Sequence, residues 1–390
     1  MKNKKKIGVV TFSNTLDNYG QILQYLATQT YLESRGHSVF LLNFDNCNLS
    51  LVYRFQRKIR KTIRRIFSKF QYKKLNDIKK SAEDLTLDCS IEIEKHLLFQ
   101  KWAQQSKISN DENPRFFDKF REKYFHTLSC TYAELRGFYG FAVGSDQMWS
   151  YISQDNFLDF GSRKQKRFSI APSVGHKMFS LDEIRRVTPL LAKFNFITVR
   201  EQNGKEFCQL CGRKDAHIVL DPTFLITPTQ YDNFADVQGM TMPKQYLLLY
   251  LLGGEIDIEI ENIYKWAKIN NLEVVYIASQ GRDDNYRKCY ATVEQWLALI
   301  KNAKYVFTNS FHGVALSSIY RIPFIVFPLI GIMQGMNGRI LHYAFEFDMN
   351  ERIYKGDLDA VKNTIDWSRV ENRIAKNICI MNDLLKTIDL

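Results

Sequence analysis

Paired cysteines, long apolar runs and nucleotide-loop glycines are all missing from this chain of 390 residues. The seven cysteines (Cys47, Cys89, Cys130, Cys208, Cys211, Cys289 and Cys379) are odd in number and scattered. That pattern excludes a disulfide scaffold and points to reduced thiols and a cytoplasmic address. Cys208 and Cys211 form a lone CxxC with no second pair at zinc spacing, so no metal is expected. The longest apolar runs, Tyr246–Leu252 and Phe324–Ile330, are too short to span a bilayer. Four lysines stand within the first six residues, but only a strand-length segment, Ile7–Phe12, follows them, so a signal peptide is not expected. No GxGxxG follows that first strand, and no phosphate loop ends in Gly-Lys-Ser/Thr, which removes support for a dinucleotide oxidoreductase or a P-loop NTPase.

Acidic residues are scarce in one place. The formal charge is +12. Between Val52 and Lys80 stand twelve Lys or Arg and one acid, Asp77, a net +11 that leaves about +1 for the remainder. Within it Phe55, Ile59, Ile63, Ile66, Phe67 and Phe70 follow helical spacing with basic residues on the other faces. Such a helix suits the anionic inner leaflet, where each basic residue contributes about 1 kcal/mol. A solvated helix docked by its apolar face on the protein itself is the alternative. Nucleic acid is not expected as a partner, because no recognised nucleic-acid fold accompanies the segment.

What the chain does have is alternation of apolar runs with amphipathic stretches, the pattern of βαβ units and parallel sheets. Ile7–Phe12 reads as a buried strand and Tyr19–Ser34 as a helix, with Leu23, Leu26, Ala27 and Tyr31 on one stripe. Residues 50–125 break the rhythm as a polar, helical insertion. Strands resume at Gly140, and the turn-rich stretch Ile226–Lys244 separates two similar halves. The expected fold is α/β and GT-B-like: two Rossmann-like domains facing a cleft, with a helical basic insertion in the first. The boundaries are 1–235 for the first (acceptor-side) domain, 243–345 for the second (donor phosphate) domain, and 346–390 for a helical tail packing back on the first.

Candidate chemistry sits where strands end. Thr308-Asn-Ser-Phe-His-Gly313 opens a helix, whose free N–H groups form an anion site. There Asn309 and Ser310 cap or donate, Phe311 and Gly313 flank, and His312 donates a hydrogen bond or protonates a leaving group. The competing reading is a capped helix with an incidental histidine. Gly144-Ser-Asp-Gln-Met-Trp149 places Ser145, Asp146 and Gln147 at another strand end. Asp146 is either a general base or acid toward a sugar hydroxyl or a helix N-cap. Arg200, in Val199-Arg-Glu201, clamps a carboxylate or makes a surface ion pair. Asn18-Tyr19-Gly20 either approaches a ligand or simply turns the chain, and Asp221-Pro222 reads mainly as a structural turn.

Taken in order, Asn18-Tyr-Gly-Gln-Ile-Leu-Gln24, Gly144-Ser-Asp-Gln-Met-Trp149, Ala171-Pro-Ser-Val-Gly175, Thr198-Val-Arg-Glu201, Leu220-Asp-Pro-Thr223, Asn309-Ser-Phe-His-Gly313 and Pro323-Phe324 resemble the polysaccharide pyruvyl transferase family. The resemblance implies phosphoenolpyruvate as donor and co-substrate, no cofactor, and a sugar acceptor on a surface polysaccharide or its lipid-linked precursor. It places His312 at the donor phosphate, Arg200 on the donor, and Asp146 as a catalytic residue. Some members carry an arginine where this chain has Ser310, which leaves Arg282 or Arg339 to supply the cation. A GT-B glycosyltransferase using a nucleotide sugar is the alternative function.

Overall fold

The computed structural model describes residues 4–44, 87–129, 135–150, 152–175 and 179–390. The basic segment 52–80 lies outside them. The first strand, β1 (Lys6–Val10), feeds α1 (Tyr19–Ser34), which stops at Gly36 in the left-handed region, and β2 (Ser38–Asn43) follows. From the insertion come α2 (Leu87–Glu112) and α3 (Phe117–Tyr124). A short strand β3 (Thr127–Ser129) then precedes β4 (Gly140–Val143) and β5 (Lys166–Ser169). The five strands form one parallel sheet in the order β3-β2-β1-β4-β5; β3 is not expected from sequence patterning, because its three residues Thr-Leu-Ser hold one apolar side chain, too few to show an alternation. Beyond β5, a bridge from Phe168 to Phe196 leads to the parallel pair β6 (Thr198–Val199) and β7 (His217–Ile218), flanked by α4 (Leu181–Leu191) and α5 (Gln202–Leu210).

The Ile226–Lys244 stretch contains the short helix α6 (Pro228–Asp232), started by a capping box between Thr227 and Gln230. A second parallel sheet, in the order β11-β10-β8-β9, is built around β8 (Tyr246–Leu252), whose sequence Tyr-Leu-Leu-Leu-Tyr-Leu-Leu is apolar throughout because both faces are covered. Its other elements are α7 (Ile260–Ile269), β9 (Glu273–Ser279), α8 (Val293–Asn302), β10 (Tyr305–Thr308), α9 (Phe311–Ile319) and β11 (Phe324–Val326). Helix α10 (Gly338–Glu346) follows, and the long helix α11 (Trp367–Lys386) crosses back to the first sheet. There Asn382 accepts from the Tyr31 hydroxyl at 2.7 Å, and the Asn377 side chain accepts from Leu220 N–H at 2.8 Å.

Two points in this topology decide where ligands go. The chain leaves β1 toward β2 on one side and returns as β4 on the other. It likewise leaves β8 toward β9 and returns as β10. At such reversals the loops diverge and open a crevice beyond the strand carboxyl ends. The two crevices face one another across α1. Tyr19 is wholly buried there, stacked on Trp296 at 4.8 Å, and its hydroxyl donates to the Ala291 carbonyl at 2.6 Å.

Candidate active site

A cavity of about 370 Å³ opens where the crevices meet, and Asn18, Asp146, Gln147, Ser310, His312 and Arg339 contribute to its wall. The loop after β4 supplies Asp146. Its φ of 63° lies in the left-handed region, which an aspartate tolerates better than most side chains, and the turn is held by Ser173 N–H donating to the Asp146 carbonyl at 2.7 Å. Gln24 of α1 pins the same loop, since its Oε1 accepts from Ser145 N–H at 3.2 Å while its Nε2 donates to Thr11 Oγ1 at 2.8 Å. Asp146 is therefore not a helix cap: its carboxylate faces Arg339 at 3.5 Å and Arg200 at 3.8 Å.

From the second sheet comes α9. Ser310 caps it by accepting from Gly313 N–H, and Asn309 ties β10 to β8 by pairing with both the N–H (2.8 Å) and the carbonyl (3.2 Å) of Leu252. Both groups of Asn309 are thus engaged by backbone. His312 stands in the first turn, 6% exposed, with Nε2 lacking any hydrogen-bond partner and Asp221 Oδ2 at 3.9 Å. Burial pushes the His312 pKa down to about 4 against the opposing pull of Asp221 and Asp146, so the imidazole is neutral at ordinary pH.

Beneath Asp146 and His312 lies a charge cluster. Arg200, 4% exposed, bonds Asp221 Oδ2 at 2.6 Å, and the Ser145 hydroxyl donates to the same oxygen at 3.0 Å. Burial raises the pKa of the Asp221 carboxyl, but Arg200, His312 and the Thr223 N–H outweigh it and hold the group below the usual carboxylate range. Burial likewise opposes the charge on Arg200, and Asp221, Glu201 and Asp146 more than offset it. Arg200 is therefore a buried ion-pair partner, not a surface one, and Asp221 is an electrostatic anchor as well as a turn residue.

Several sequence-predicted site residues carry packing or capping roles in the structure. Tyr19 is buried in the interface described above. Gly20 meets the His312 ring, not a ligand, because a Cβ there would overlap the imidazole. Gly313 lies against Thr308 and Tyr250. Ser145 is wholly buried and shared between Asp221 and the Ala171 carbonyl. Asn18 caps α1 by accepting from Gln21 N–H at 3.3 Å while lining the cavity. Of the two candidate cations, Arg282 is turned away, bonded to the Gly254 carbonyl and Asp284, whereas Arg339 of α10 sits at the cavity. Cys208 and Cys211 are buried at the end of α5, and burial pushes the Cys208 thiol up to about 12.

Sequence reasoning missed the wall that the insertion builds. Trp102 and Phe99 of α2 line the cavity, and the Trp102 ring lies on Gly253 and Gly281, where any Cβ would collide with it. Ser106 of the same helix donates to Asp17 Oδ2 at 2.8 Å, an oxygen that also accepts from Gln280 N–H at 2.8 Å. The helix thereby joins the loop after β1 to the loop after β9. Its sequence trace is the apolar cluster Leu97-Leu98-Phe99 and Trp102 within an otherwise polar stretch.

The ordered motifs that build this cavity coincide with a recognised family: the sequence model described as polysaccharide pyruvyl transferase matches residues 18–329. The chain belongs to that family. It is accordingly a transferase, and the family's reaction class is pyruvyl transfer to polysaccharide. No curated protein matches the chain significantly. Among solved structures, the Streptomyces sp. SF2575 glycosyltransferase SsfS6, complexed with thymidine diphosphate, is similar at 10% identity and a TM-score of 0.39, covering 97% of this chain and 99% of that one. The UDP-N-acetylglucosamine 2-epimerase from Rickettsia bellii is similar at 13% identity and a TM-score of 0.36, covering 98% of both chains. Among the described residues of this pyruvyl transferase family member, no helix is long and apolar enough to cross a membrane.

Proposed function

We propose that the enzyme transfers the enolpyruvyl group of phosphoenolpyruvate to a sugar of a surface polysaccharide or its lipid-linked precursor, forming a pyruvate ketal. The observation that carries this is His312: a buried, neutral imidazole with a free Nε2 at the N-terminus of α9, beside Arg339 and opposite Asp146.

The chemistry runs on these groups. Asp146 takes the proton from one sugar hydroxyl as its oxygen attacks C2 of the enolpyruvyl group, and passes that proton to C3, which becomes a methyl. The C2–O bond to phosphate breaks, and a second hydroxyl of the same sugar closes the ketal, its proton leaving with the phosphate. Charge on the departing phosphate is stabilised by Arg339 and by the α9 N-terminus, whose partial charge is about +0.5. With His312 neutral, Asp146, Glu201 and Asp221 outnumber Arg200 and Arg339 by one. An arriving phosphate therefore draws a proton onto His312, raising its pKa and arming it as the acid for phosphate departure.

Thermal unfolding in the presence of ligands tests the proposal, because only ligands of the folded state raise Tm. Phosphoenolpyruvate should raise Tm beyond inorganic phosphate, and the difference should vanish in His312→Gln. A rise with UDP or CMP and none with phosphoenolpyruvate would replace this reading with a nucleotide-sugar glycosyltransferase.

A further inference from the structure

A second cavity, of about 200 Å³, is lined by Arg200, Asp221 and Phe224 together with residues of α10 and α11. Its polar and apolar linings are segregated. On one side Phe224, Tyr343 and Phe347 form a run of stacked rings, Phe224 to Tyr343 at 6.1 Å and Tyr343 to Phe347 at 4.3 Å. On the other, four cations, Arg200, Arg339, Arg373 and Lys376, outnumber the three carboxylates of the lining by one. Polar atoms here lack partners. Arg200 Nε and Nη2 make no hydrogen bond, their nearest carboxylate oxygens standing at 3.7 and 3.8 Å. Asn377 is 5% exposed, and while its Oδ1 is bound by Leu220 N–H, its Nδ2 has no acceptor. Both Arg200 donors stand within ion-pair distance of a carboxylate, Nε of Glu201 and Nη2 of Asp146 on the transfer side, so the donor left without any acceptor is Asn377 Nδ2, and a buried unpaired donor in a cavity wall indicates an acceptor that belongs there.

From this we infer that the cavity is a second ligand site, selective for a small carboxylate with an apolar body. One carboxylate oxygen takes the free Nδ2 of Asn377, the charge is met by Lys376 on the rim, and the body lies against the Phe224–Tyr343–Phe347 rings. Bare phosphate satisfies the donors but leaves the aromatic wall uncovered, so it fits less well. The transfer cavity is a different space: Arg339 and Phe311 are shared by both walls, whereas His312 and Asp146 line the transfer cavity and Asn377 and Lys376 line the second. The inference does not rest on pyruvyl transfer.

Calorimetric titration of the full chain with benzoate, and separately with inorganic phosphate, tests it. Benzoate should bind wild type and His312→Gln with equal affinity. Asn377→Asp keeps the Oδ1 acceptor for Leu220 and replaces the free donor with an oxygen, so benzoate affinity should fall at least about tenfold. Lys376→Glu, on the exposed rim, should weaken it severalfold and serves if Asn377→Asp does not fold. Absence of benzoate heat up to about 10 mM, a range that reaches even weak sites, overturns the inference. So does unchanged affinity in both variants of α11, loss of affinity in His312→Gln, or binding of phosphate in preference to benzoate.

Discussion

Gly20 of the first sheet's opening helix packs directly on the imidazole of His312 from the second, and no side chain fits between them. The contact fixes where the histidine stands relative to the Asp146 loop. Gly20→Ala should therefore displace the ring, at an overpacking cost of about 1–3 kcal/mol. The expected result is a kcat at least about tenfold lower, since misplacing a catalytic group by an ångström is expensive. A Gly20→Ala enzyme with wild-type kcat and a wild-type melting temperature would mean that His312 need not be held here.

The depressed pKa of His312 makes a stability prediction. Between the ordinary value near 6.5 and the folded value near 4, the unfolded chain binds a proton that the folded chain does not. Stability is therefore lost as pH falls through that window, by up to about 3 kcal/mol for a shift of this size. His312→Gln lacks the titrating group, so its urea midpoint should drop less than that of wild type between pH 7 and pH 4.5. Phosphoenolpyruvate binding should run the same linkage in reverse, with proton uptake that calorimetry in buffers of different ionisation enthalpy will register.

Asp146 offers a cleaner separation of binding from chemistry. Asparagine tolerates the left-handed backbone as well as aspartate does, so Asp146→Asn keeps the turn. Loss of the base should lower kcat by about two to four orders of magnitude. Removing one negative charge from the cavity should leave phosphoenolpyruvate affinity unchanged or increased. A parallel loss of donor affinity would assign Asp146 to donor binding instead.

Much of this site was legible because its parts are local. A strand end, a turn and a helix start fall within a few residues, so strand periodicity singles out Asp146, Arg200 and His312 as candidates, and the family resemblance supplies the roles. What periodicity does not carry is which strand ends meet. Asp221 reads as a turn until Arg200, Ser145 and His312 are seen around it, and Arg339 lies on α10, a helix the apolar pattern did not mark. Gly20 reads either as a close approach to a ligand or as a turn, and its partner is a side chain 292 positions away.

The basic segment 52–80 remains a proposal of membrane attachment, and vesicles test it. Its twelve Lys or Arg against one acid should bind the protein to vesicles containing phosphatidylserine and release it as salt screens the surface. Deleting 52–80 should abolish sedimentation with these vesicles while leaving the phosphoenolpyruvate-dependent Tm shift intact. Equal sedimentation with neutral phosphatidylcholine vesicles, or of the deleted form, would reject an electrostatic attachment.

Trp102 shows how a segment outside the recognisable motifs acquires a function. Its indole fills the space above Gly253 and Gly281, residues that close β8 and β9, and with Phe99 it gives the transfer cavity an aromatic wall facing His312 and Asp146. Aromatic faces suit the apolar faces of sugar rings, so the proposed reaction would put the acceptor on this side and the phosphate at α9 and Arg339. Trp102→Ala removes that wall together with the packing of α2, at a cost of about 3–5 kcal/mol for a large buried side chain. Phe99 is 44% exposed, so Phe99→Ala probes the wall without that cost. In steady-state kinetics Phe99→Ala should raise the acceptor KM severalfold and leave the phosphoenolpyruvate KM unchanged. The reverse pattern, with the donor KM raised alone, would put phosphoenolpyruvate against α2 and move the acceptor to the other side of His312.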